Sequence, residues 1–102
     1  MNVANLQLEG LLMAVASINS TLVRKGLLTS DEVDNALRRA EAGLTGEERL
    51  YQDMSPANRD AVCFPLRLLQ LANRASATAA TPSFSDLARL VAQTKEPYND
   101  QM

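Results

Sequence analysis

Apolar residues recur along the first quarter of the chain at alternating steps of three and four: Leu8, Leu11, Val15, Ile18 and Leu22. That is one face of an α-helix held for two heptads, and Leu12 widens it. The pattern predicts a first helix from about Ala4 to Lys25. Arg24 and Lys25 lie in its last turn, where cations favour the negative end of the helix dipole. Gly26 follows at the position that commonly takes a left-handed conformation and stops a helix.

After Leu27-Leu28, the run Thr29-Ser30-Asp31-Glu32 has the form of a capping box, with Thr29 as cap and Glu32 three residues on. A second helix is expected from there. Asp31, Glu32 and Asp34 fill its first turn, Arg38 and Arg39 stand near its end, and Gly43 closes it. Its narrow apolar face reads as Val33, Ala36, Leu37 and Ala40. Thr45 to Asp53 is open between a short helix and a polar loop. Ser55-Pro56 then marks a start, a cap residue followed by proline at the first helical position.

The third long helix is expected from about Pro56 to Ala75. Pro65 falls inside it and removes one backbone donor, which predicts a kink between Ala61 and Pro65 or two abutting helices. Phe64, Leu68, Leu69, Leu71 and Ala72 share its broad apolar face with Val62 and Leu66. Ser76 to Thr81 reads as a linker. Ser83-Phe84-Ser85-Asp86 offers caps for a last helix to about Thr94, buried through Leu87, Leu90 and Val91. The prediction is an all-α, compact four- to five-helix bundle spanning residues 1–95, with 96–102 as a frayed tail.

Composition agrees with that class. The chain of 102 residues is 46% apolar, mostly Leu and Ala, and only 4% aromatic, a bias that suits helices over strands. A net charge of −2 offers no general attraction for nucleic-acid phosphates, so nucleic acid is an unlikely partner. There is no histidine, which removes the commonest general base and metal ligand together. One cysteine is too few for an internal disulfide or a zinc site. No segment reads as a membrane span or a signal peptide, and the cytoplasm is the expected compartment.

Candidate chemistry is sparse. Asn19 interrupts the apolar stripe of the first helix, where it could face a ligand, fix the register of a dimer seam, or simply bond a nearby carbonyl in the core. Cys63 lies between Arg59 and Arg67, which would favour a thiolate, yet a lone cysteine is more often an inert small hydrophobe. Arg59, Arg67 and Arg74 form a basic stripe that could meet a phosphate or an acidic partner, or be a solvated face. The carboxylates make no catalytic pair, because Asp31, Glu32 and Asp34 are explained by capping, and Glu47 and Glu48 point apart. Neither catalysis nor a cofactor is expected.

The run from Leu22 to Leu37, Lys-Gly-Leu-Leu-Thr followed by acids and Ala-Leu, resembles a bacterial helical hairpin found in nitrile hydratase subunits and in short C-terminal oligomerisation domains. The resemblance covers about a sixth of the chain. It implies a structural helix pair; the metal-binding cysteine cluster of the nitrile hydratases has no counterpart, so it implies no activity.

The first and third helices have apolar arcs too broad for one neighbour, which points to a homodimer or another protein partner. Leu8, Leu12, Val15, Asn19 and Leu68 are the expected interface. The leading expectation is therefore an assembly module. The alternatives are a small helix-turn-helix regulator and a carrier whose cavity is lined by Met13, Asn19, Met54 and Phe64.

Overall fold

The computed structural model describes residues 3–45, 56–77 and 81–100. Within them the chain is all-α, with four helices and no strand: α1 Val3–Arg24, α2 Ser30–Thr45, α3 Pro56–Ser76 and α4 Phe84–Asp100. The region 46–53, open between helix and loop, and Met54 lie outside the described residues.

The stop signals behave as their chemistry requires. Gly26 has φ +77°, its amide donates to the Val23 oxygen at 3.0 Å, and the Leu27 amide donates to the Leu22 oxygen at 3.0 Å. Those two bonds are the Schellman closure, satisfying carbonyls that the end of α1 would otherwise leave unpaired. The capping box is reciprocal. The Glu32 amide donates to Thr29 Oγ1 at 3.0 Å, and the Thr29 amide donates to Glu32 Oε1 at 2.8 Å. Ser83 caps α4, its Oγ accepting from the Asp86 amide at 3.2 Å.

Several boundaries differ from expectation. α2 runs past Gly43 to Thr45, so Gly43 is a residue of the helix and not its stop. α3 is one helix across Pro65 and not two abutting ones. α4 continues beyond Thr94, through Pro97, to Asp100.

α3 is the hub. α1, α2 and α4 each pack on it, while α1 and α2 make at most marginal contact with one another despite their short connection. The main core joins Leu12 and Ala16 of α1, Leu68, Leu69 and Ala72 of α3, and Leu87 and Val91 of α4. Leu68 and Leu87 are wholly buried, each contributing about 1.5–3 kcal/mol of apolar transfer. Phe64 and Phe84 meet edge to face beside this core, ring centroids 6.3 Å apart. Leu90, expected inside, is partly exposed.

Residues 22–37 carry the connection between α1 and α2. The turn is closed as expected, but each helix it joins finds its main partner in α3.

Candidate interaction surface

The stripe expected to be basic on α3 is a polar seam against α2. Asp60, Cys63, Arg67 and Gln70 are spaced three, four and three residues apart, so they share one face. On α2 the facing positions are Ser30, Val33, Asp34, Leu37 and Glu41, at helical spacing. The face expected from sequence included Ala36 and Ala40, which are exposed. Glu41 accepts from Arg67 Nε at 3.2 Å through one oxygen and from Gln70 Nε2 at 2.9 Å through the other. Asp60 approaches Arg67 Nη1 at 3.6 Å from the same helix.

Arg67 is thus neither a phosphate contact nor a solvated charge. Burial pulls its guanidinium down, but the hydrogen bond and the charge of Glu41 outweigh it, and the net direction is up. Arg59, one turn before Cys63, is half-buried and already engaged; Arg74 is exposed. The three arginines do not form a common open face.

Cys63 sits in this seam at 2% exposure. Burial pushes its thiol up; Arg67 opposes this, while Glu41 and Asp60 reinforce it. The pull of the arginines, the sequence argument for reactivity, is outweighed by desolvation. Asn73 completes the seam, its Nδ2 donating to the Ser30 oxygen at 2.9 Å. Among the described residues this is the buried polar one, and the sequence argument placed that role on Asn19, which is half-buried on α1. The signal for Asn73 was its place after Cys63, Arg67 and Gln70 on a face mixing polar and small residues.

α1 presents the opposite situation. Its core contacts run through Leu12 and Ala16. At about 100° per residue, that direction lies about 100° around the helix from the centre of the Leu8, Leu11, Val15, Ile18 and Leu22 stripe. The heptad stripe that predicted the helix is therefore turned to the side of the core, with Val15 at its inner edge packed against it. Leu11 is 62% exposed, Ile18 59% and Leu8 37%, while Val15 and Leu22 are half-buried. Of the residues expected at an interface, Leu12 and Leu68 are instead consumed inside the chain, Val15 and Asn19 are at the border, and Leu8 is open. The inward direction of α1 pairs Leu12 with the small Ala16, and the larger Leu8, Leu11 and Ile18 lie outside it.

α1 also amends the reading of membrane segments. At 22 residues and a window hydropathy of 1.3, it is long and apolar enough by length and composition to cross a membrane.

A groove of about 390 Å³ lies beside the start of this stripe, lined by Asn5, Leu8, Glu9, Ala61, Phe64 and Phe84. Of the described residues expected to line a ligand cavity, only Phe64 is there. Met13 packs against the core and Asn19 lies further along α1. Among the described residues, no group of three or more acidic, cysteine or histidine side chains could hold a metal ion. No known protein family, curated protein or solved structure matches this chain.

Proposed function

We propose that this chain is a non-catalytic helical assembly module that self-associates through the outward face of α1, acting in the cytoplasm. The observation that carries it is the outward apolar stripe of α1, of which Leu8, Leu11 and Ile18 are exposed, Leu11 and Ile18 each by more than half. Large contiguous apolar faces on small domains mark interaction sites. Within α1 the arc holding the stripe, with Ala4 on it and Gln7, Ala14 and Asn19 at its borders, carries no charge, so an identical copy meets no repulsion there.

The test is solution mass by light scattering across a concentration series. Doubling of the mass, reversed in a Leu11→Glu/Ile18→Glu variant with unchanged helical signal, supports the reading. A monomer at every concentration overturns it.

A second reading, carriage of a small apolar ligand, is favoured by the groove between Leu8, Phe64 and Phe84, whose volume is within the usual range for ligand sites. In this reading α3 bends at Pro65, which supplies no amide to the Ala61 carbonyl on the groove wall. Saturable displacement of an apolar fluorescent dye, lost in Ala61→Trp, would support it; dye binding unaltered by that change would count against it.

A further inference from the structure

We infer that two copies pair antiparallel along α1, on a two-fold axis passing between Val15 and Ile18. This rests on the self-association proposed above and adds its geometry. Leu11, Val15, Ile18 and Leu22 are separated by four, three and four residues, a spacing that reads the same in both directions. Their chemistry is also symmetric: leucine at the ends and β-branched residues in the middle. Laid antiparallel, Leu11 meets Leu22 of the second copy and Val15 meets Ile18, giving four apolar layers related by the two-fold. An isologous contact requires such self-complementarity, because each residue pair occurs twice.

Charge favours the same direction. A parallel pair would bring Lys25, one turn past Leu22, beside its own copy, juxtaposing like charges. Antiparallel pairing moves the two copies of Lys25 apart by most of the helix length. The helix dipoles also oppose favourably. Ala14 borders the stripe and lets the backbones approach.

The size is adequate for a modest affinity. A 22-residue helix is about 33 Å long, and the roughly one third of its circumference left open offers on the order of 350 Å² a side, the size of a weak, concentration-dependent contact. A membrane surface fits less well. Helices that lie on lipid carry Lys or Arg along their polar face, and α1 has none before Arg24.

The test is mild oxidation of single-cysteine additions, followed by a non-reducing gel, with the unaltered chain as control for buried Cys63. An equimolar mixture of Leu11→Cys and Leu22→Cys chains is expected to give a covalent dimer, and neither chain alone should. In the antiparallel pair two copies of residue 11 lie about 16 Å apart along the axis, too far for a disulfide. Cross-linking of each single variant with itself would mean a parallel pair and overturn the inference while leaving self-association intact. A dimer by mass in which none of these cross-links form would place the interface elsewhere. Because the substitutions could weaken the pair, isotope-mixed NMR on the unaltered chain gives a second readout. Inter-chain contacts between Leu11 and Leu22 methyl groups are expected, and their absence in a proven dimer overturns the geometry. A monomer that binds neutral phosphatidylcholine vesicles through α1 would overturn both proposals in favour of a membrane.

Discussion

The side-chain amide of Asn73 donates to the main-chain oxygen of Ser30 at 2.9 Å, tying the end of α3 to the first turn of α2. Both groups are removed from most of the solvent, so losing the donor leaves a carbonyl with less than its share of partners. Asn73→Ala is expected to cost about 1–3 kcal/mol. Asn73→Asp should cost more at pH 7, because a carboxylate would face a carbonyl oxygen. Its folded-state pKa would be raised, so stability is retained below the ordinary carboxylate range and lost as pH rises through the raised value. Urea titrations at pH 4 and pH 7 check this; an aspartate variant no worse than alanine at pH 7 would contradict it.

Glu41 and Arg67 should behave as a coupled pair. Each is about a quarter exposed, which discounts the ion pair itself, but Glu41 also accepts from Gln70. Glu41→Ala is expected to lose about 1–2 kcal/mol, and the Glu41→Ala/Arg67→Ala double variant less than the sum of the singles. The exposed pair of Arg89 and Asp86 makes the control: Arg89→Ala should leave the urea midpoint nearly where it is. Additive costs at Glu41 and Arg67 would show that they do not act together.

Cys63 should be unreactive in the folded chain. Ellman's reagent is expected to label it only at the rate of opening, and rapidly in denaturant. Its raised pKa has a second consequence. As pH climbs through the ordinary thiol range, near about 8.5, the unfolded chain ionises first, so stability should fall. Cys63→Ala should show a shallower loss between pH 7.5 and pH 10. Equal slopes would remove the thiol from the explanation.

Gly26 and Gly43 should respond with opposite signs. At Gly26 no atom lies within 4 Å of an added Cβ, but φ is +77°, so Gly26→Ala is expected to cost about 1–2 kcal/mol. At Gly43, inside α2, the space is equally open and no left-handed conformation is needed. Gly43→Ala should stabilise by about 0.5–1 kcal/mol. Thermal melts separate the two, and a destabilising Gly43→Ala would mean that α2 ends there after all.

The helices were legible because their signals are local. Gly26, the Thr29–Glu32 box, Pro56 and Ser83 act on neighbours within a turn, and each stands where a helix starts or stops. The face of α1 that packs inward was not legible from periodicity. The largest residues defined the better stripe, yet the side that packs inward pairs Leu12 with small Ala16. Arg67 misled for a related reason: a lone stripe of cations says nothing of the carboxylate that arrives from another helix. Glu41 reaches it from 26 positions away, and only the facing spacings on α2 and α3 hint at that match.

The hub arrangement bears on how such a chain can change over time. A helix touching every other helix must keep compatible shapes on several sides at once. Here α1 and α2 answer chiefly to α3 and scarcely to each other. Substitutions on those two helices should therefore accumulate almost independently, leaving α3 as the segment whose history constrains the rest. The outward side of α1 is the freest of all, able to acquire or lose a partner without rewriting the interior.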